Sequence, residues 1–190
     1  MHVLRAGLVS IDPDQKWIGG RYYLHHLVRA VASLPQSERV ELFDVWWQSA
    51  PDEDPFANVR PLLAGQRVLA PPERLVPRIL RKLRRSIHGW NDARDLFLDA
   101  GLDVLFPIAP CADPGIAFVF WIPDVQYRLL PELFSEEMHA WYDRHYGDNG
   151  RDADLIVVSS AEGRRDVERF FPQFAEKTRV LHFCSIPTEE

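Results

Sequence analysis

The feature that most constrains this chain is an alternation repeated along its length: short, nearly continuous apolar runs separated by stretches with helical periodicity. An apolar run without period-two alternation needs burial on both faces, and parallel strands need a crossover that passes over one face of their sheet. The runs are Val3 to Ile11, Val40 to Trp47, Arg67 to Ala70, Asp103 to Pro107, Ile116 to Ile122, Leu155 to Ser159 and Arg179 to Phe183. Helical patterns lie between them. Tyr22 to Leu34 carries apolar residues three and four apart and is closed by Pro35. Glu73 to about Ile87 is strongly basic, and Asn91 to Ala100 stops at Gly101. A further stretch follows Leu-Pro-Glu-Leu-Phe-Ser through to Tyr146, and the last runs from Ala161 to Phe170. A long irregular connection is expected over 49–65, where three prolines and a cluster of acids fall. This order predicts an α/β fold with a Rossmann-like, doubly wound parallel sheet.

At 190 residues the chain fits one domain with a full core. A net charge of −6 argues against a nucleic-acid binder, whose phosphate contacts require a basic face. Cys111 and Cys184 lie far apart without a CxxC, and the start of the chain turns acidic before a signal-peptide core can form. A reduced, cytoplasmic setting is expected. No apolar run approaches the roughly 20 residues that span a bilayer, so any membrane contact is expected to be peripheral.

In such sheets ligands bind beyond the carboxyl ends of the strands. That directs attention to Asp12 to Tyr22, Phe106 to Asp113, Pro123 to Tyr127, Ser159 to Glu162, and Cys184 onward. Gly19 and Gly20 follow the first strand and precede a helix, where backbone amides and the helix dipole favour a phosphate; a flexible loop using glycine for positive φ explains them as well. The loop spells neither G-x-G-x-x-G nor a Walker pattern. Asp124 closes an apolar strand, which places a carboxylate where it can serve as a base or accept a hydrogen bond from a hydroxyl, or can cap the following turn. Gln126 and Tyr127 continue that edge as substrate-contact candidates. Ser160 and Glu162 stand at another strand end, where the serine can cap the next helix or face the cleft.

In the basic segment, Arg74, Arg78, Arg81 and Arg85 share one helical face, opposite Val76, Ile79, Leu80, Leu83 and Ile87. Arg78, Arg81, Lys82 and Arg85 suit an anionic lipid or a lipid-diphosphate acceptor, and equally a solvated face over a core stripe. D-x-D pairs at Asp12/Asp14, Asp52/Asp54 and Asp152/Asp154 could hold a divalent ion against a diphosphate, but in so aspartate-rich a chain such pairs arise by chance. His25 and His26 are adjacent and point apart on a helix. There is no H-E-x-x-H, cysteine cluster or G-x-S-x-G. No metal is assigned.

Taken together, Ile18-Gly-Gly-Arg-Tyr-Tyr-Leu-His-His-Leu27, Trp121-Ile-Pro-Asp-Val-Gln-Tyr-Arg-Leu-Leu-Pro-Glu-Leu-Phe-Ser135 and Ala153-Asp-Leu-Ile-Val-Val-Ser-Ser160 resemble the first domain of glycosyltransferase family 4. The likeness continues through Asp166 to Pro172 and Lys177 to Phe183, in the same order and spacing. It implies a GT-B fold, with two Rossmann-like domains facing across a cleft. On that reading residues 1–185 form the N-terminal, acceptor-side domain, and 186–190 begin the linker to a C-terminal, donor-binding domain. The implied reaction is retaining transfer of a hexose such as mannose from a nucleotide diphosphate sugar to a polysaccharide or lipid-linked acceptor. The nucleotide sugar is then a co-substrate, and no cofactor or metal is implied. Gly19 and Gly20 would approach the donor's diphosphate. Many members carry a histidine-aspartate pair after the strand that ends here at Ile122; this chain has Pro123 and Asp124, so Asp124 is the catalytic candidate by position. An isolated first domain would lack one wall of its cleft and is not expected to turn over.

Two other readings stand beside it. One is a non-catalytic Rossmann-like binding or partner module, which an exposed apolar patch beside Cys184 to Pro187 would count against. The other is a metal-using glycosyltransferase of different fold, which would need one D-x-D pair to hold an ion.

Overall fold

The computed structural model describes residues 3–9, 18–47, 54–69, 92–110 and 114–185. Seven strands form one sheet: β1 (Arg5–Val9), β2 (Glu41–Trp47), β3 (Gly65–Leu69), β4 (Val104–Phe106), β5 (Ala117–Trp121), β6 (Leu155–Val158) and β7 (Thr178–Val180). Every neighbouring pair is parallel, in the order β3-β2-β1-β4-β5-β6-β7. The order reverses between β1 and β4, the switch point of a doubly wound sheet. Five helices are described: α1 (Ile18–Ser33), α2 (Asp92–Asp99), the single turn α3 (Gln126–Leu129), α4 (Glu136–Asp152) and α5 (Ala161–Phe170). The expected Rossmann-like architecture is therefore present.

Strand pleating explains why the core has two halves. Ala6 and Leu8, Leu42 and Trp46, Trp121 and Val157 face one side, where Tyr23, Leu24 and Val28 of α1 cover them with Phe56 and Val59. Val9, Phe43 and Val45, Phe118 and Phe120, Ile156 and Val158 face the other, under Phe97 of α2, Tyr146 of α4 and Val167 of α5. Burial on both faces is what makes the strands read as unbroken apolar runs.

Several boundaries differ from expectation. α1 starts at Ile18, not Tyr22, so Gly19 and Gly20 lie in its first turn instead of in a loop. Glycine costs about 1 kcal/mol relative to alanine within a helix, and burying Tyr23, Leu24 and Val28 outweighs that penalty. The helix expected to end at Tyr146 runs to Asp152 through Gly147 and Gly150. Its start agrees with expectation, directly after the Leu-Pro-Glu-Leu-Phe-Ser run: α3 and a 3₁₀ turn at Pro131–Leu133 precede it, and Ser135 caps it, accepting a hydrogen bond from the Met138 amide at 3.3 Å. The final strand is only Thr178–Val180; beyond it the Leu181 amide donates to the Val158 carbonyl at 2.9 Å and the Leu181 carbonyl accepts from the Tyr23 hydroxyl at 3.1 Å. A 3₁₀ segment, Ala57–Leu62, occupies the expected irregular connection, and β3 opens at Gly65. The predicted basic helix, Asp12, Asp14, Asp52 and Cys111 lie outside the described residues. Among the described residues no helix is long and apolar enough to cross a membrane.

Candidate functional site

Beyond the carboxyl ends of β4 and β5 lies a cavity of about 300 Å³. Pro107 and Ile108 line it from β4; Phe120, Trp121, Pro123 and Asp124 line it from β5; Trp141, Tyr142, His145 and Tyr146 line it from α4. The strand ends are joined by the Trp121 amide, which donates to the Pro107 carbonyl at 3.0 Å. Positions 141, 142, 145 and 146 share one helical face, because residues four apart sit one turn above another. Trp141 stacks on His145 with ring centroids 4.7 Å apart and planes 9° from parallel.

Asp124 is held from two directions. Its Oδ1 accepts a hydrogen bond from the Gln126 amide at 3.0 Å, closing a local turn, and the Tyr146 hydroxyl donates to its backbone carbonyl at 3.1 Å. The side chain is nonetheless exposed and lines the cavity. Burial, reinforced by the charge of Asp124, raises the proton affinity of the Tyr142 and Tyr146 hydroxyls. Burial acts oppositely on the His145 imidazole, pushing its pKa below the ordinary histidine value against the pull of Asp148.

The other candidates separate from this cavity. Tyr127 is a core residue: its ring stacks on Tyr142 at 4.9 Å and its hydroxyl donates to Asp143 at 2.6 Å, so it does not reach a ligand there. Gln126 is exposed, and its backbone serves the Asp124 turn. Ser160 caps α5, accepting from the Gly163 amide at 3.0 Å. Glu162 is paired with Arg165 on the exposed face of that helix. Neither Ser160 nor Glu162 lines the cavity. Gly19 and Gly20 do not line it either, but the helix they open returns to the same sheet edge: Tyr23, one turn further on, stacks on Trp121 at 4.1 Å. Trp121 in turn donates from Nε1 to the Ser159 hydroxyl at 3.1 Å. Burial pushes the Tyr23 hydroxyl up to about 12. Arg78, Arg81, Lys82 and Arg85 lie outside the described residues.

Trp141 and His145 line the cavity although neither stands at a strand end in the sequence. The stretch Trp141-Tyr-Asp-Arg-His-Tyr146 was legible as helix, and its two aromatic i, i+4 pairs mark one stripe. That the stripe faces a cavity beside Asp124 follows only from how α4 crosses the sheet.

A second polar cluster is structural. Asp44 is fully buried within β2 and accepts from Arg60 at 2.6 Å and from the Trp46 indole at 2.8 Å. Arg60 also holds Asp54, which accepts from the Phe56 amide. The network ties the Ala57–Leu62 turn to the sheet; burial raises the Asp44 carboxyl's pKa while Arg60 pulls it down. Asp154, of the last D-x-D pair, accepts from the Phe118 amide at 2.8 Å and so lies at the amino ends of the strands, opposite the cavity. Among the described residues no group of three or more His, Cys, Asp or Glu side chains is arranged to hold a metal ion. Cys184 is a free thiol. Beside it Phe183 is 51% exposed, and Leu181, Ile18 and Tyr22 are exposed as well.

The chain matches no protein-family model, and no curated protein is significantly similar to it.

Proposed function

We propose that this chain is the acceptor-side domain of a nucleotide-sugar-dependent hexosyltransferase, and that the cavity at the ends of β4 and β5 receives a sugar ring. The observation that carries the reading is a single exposed carboxylate, Asp124, in a pocket lined mainly by aromatic rings at the ligand-binding edge of a doubly wound sheet. Aromatic walls suit the C–H faces of a pyranose, and a carboxylate accepts from its hydroxyls or takes a proton from one of them. The first turn of α1 has amides without helical partners, and at Gly19 and Gly20 these would meet the donor's leaving diphosphate. Arg78, Arg81, Lys82 and Arg85 would hold an anionic, lipid-linked acceptor at the inner face of a membrane. The apolar exposure of Leu181 and Phe183 is what a second, donor-binding lobe would cover.

The test is mass-spectrometric detection of transfer by this domain together with its donor-binding lobe, with a panel of nucleotide diphosphate sugars and a lipid-diphosphate acceptor extract. Transfer without added metal is expected, falling about a hundredfold or more in Asp124→Ala. One observation favours the reading as a non-catalytic binding module: Asp124 already has a purely local task as acceptor for the Gln126 amide. Asp124→Asn separates the two, because it retains that acceptor and removes the charge. A folded protein that depletes no donor, or transfer undiminished in Asp124→Asn, would count against the catalytic assignment.

A further inference from the structure

His145 lines the cavity, half-buried, with a hydrogen-bond partner among the described residues at only one of its two ring nitrogens. The Nδ2 atom of Asn149 lies 2.8 Å from the backbone oxygen of His145 and 3.3 Å from its Nδ1. A carbonyl oxygen only accepts, so the Asn149 amide must turn its NH₂ group toward that oxygen, and the second hydrogen then meets Nδ1. With the amide in that orientation Nδ1 accepts, which assigns the proton of the neutral ring to Nε2. The ring is fixed by its stack on Trp141 and by edge contacts to Phe120 and Tyr146 at centroid distances of 5.7 and 5.8 Å. Among the described residues no group hydrogen-bonds its Nε2. The cavity therefore offers the Asp124 carboxylate as an acceptor and the His145 ring as a donor, beside the Tyr142 hydroxyl and the Trp141 indole N–H, while the Tyr146 hydroxyl is engaged by the Asp124 carbonyl.

We infer that His145 is a ligand-contacting residue, a fixed Nε2–H donor working with the Asp124 acceptor, and that together they select a ring bearing several hydroxyls over one apolar face: a hexopyranose. A hydroxyl donates and accepts at once, so neighbouring hydroxyls on one ring satisfy both groups, whereas a carboxylate or an ammonium ligand would leave one of them opposed. Trp141, 54% exposed, offers the stacking platform. The inference rests on the proposal that this cavity is a sugar site, and it adds the residue and hydrogen-bond polarity that recognise the sugar.

The test uses this chain and the methyl pyranosides of mannose, glucose and galactose as probes. Side-chain ¹⁵N–¹H spectra, with His145 assigned from its missing signals in His145→Phe, are expected to show the Nε2–H tautomer and a shift of that nitrogen on saturation with at least one glycoside. Loss of one hydrogen bond predicts about tenfold weaker binding in His145→Phe, which keeps the stack, and a change within about threefold in His145→Gln, which keeps a donor. Undiminished binding by His145→Phe, or an Nδ1–H tautomer, overturns the role of His145 while leaving the cavity a sugar site. If the wild type binds no glycoside yet the two-lobe protein transfers sugar in an Asp124-dependent way, the inference falls and the proposed function stands. Neither binding nor transfer would overturn both. Should His145→Phe not fold, the tautomer and the wild-type ¹⁵N shift decide alone.

Discussion

His25 and His145 respond to pH because each is half-buried in its neutral form. Burial lowers the pKa of both; at His25 the hydrogen bond to the Pro55 carbonyl opposes it, while Arg21, Arg29 and His26 add to it. The unfolded chain, with histidine near 6.5, then binds protons more readily than the folded one. Stability from these groups is present above about pH 6.5 and is lost as the pH falls through that value toward their folded pKa. Thermal unfolding followed from about pH 7 to about pH 5 is expected to show the wild type losing more stability than His25→Gln or His145→Gln; equal slopes would contradict it. At this scale the sequence was informative about position and silent about direction. Asp124 and Tyr127 are three residues apart at the same strand end, yet one side chain opens to the cavity and the other is closed into a cluster with Tyr142, Tyr146 and Asp143. The short turn between them sets that difference, and no local pattern records it.

Helix α4 shows how an element can override its own composition. Two glycines and an asparagine over 147–150 read as a helix end, but the helix continues because the Phe174 ring packs directly against Gly150. A Cβ there would stand within 3.0 Å of three Phe174 ring atoms, whereas one at Gly147 would meet nothing within 4 Å. Gly147→Ala is therefore expected to stabilise the chain by about 0.5–1 kcal/mol through helix propensity. Gly150→Ala is expected to destabilise it by about 1–3 kcal/mol through overpacking, with part of the loss recovered in Gly150→Ala/Phe174→Leu. Urea unfolding of the four proteins checks the signs; stabilisation by both single alanines would show that Phe174 yields freely. The same glycine also brings the end of α4 close to the Pro172–Lys177 turn, which fixes the approach of the helix that carries Trp141 and His145.

Across the whole molecule, β1, β4 and β5 lie inside the sheet with covered faces, while β3 and β7 form its edges. Local opening follows the distribution of buried contacts. Native-state hydrogen exchange is expected to be slowest for the amides of Leu8, Leu105 and Phe120 and fastest among strand amides for those of β3 and β7. Uniform protection across all seven strands would mean that the sheet opens only as one unit. The cavity sits at the ends of the inner strands β4 and β5, so Asp124 is presented from the interior of the sheet, while α4 supplies the opposing wall.

The sequence alone determined the α/β class, the strand count and the parallel arrangement, because burial on both faces and a crossover between strands each leave a mark in one-dimensional periodicity. It also brought Asp124 to the ligand edge, since the end of an apolar run is a strand end. What it could not contain is which helix face meets which strand end. The placement of Asp124 and His145 around one cavity, the enclosure of Tyr127, the local capping by Ser160 and the burial of Asp44 beside Arg60 were decided by tertiary structure. These depend on crossing angles and turn geometry, set by contacts between residues far apart in the chain, and such contacts are not written into the order of the residues on either side.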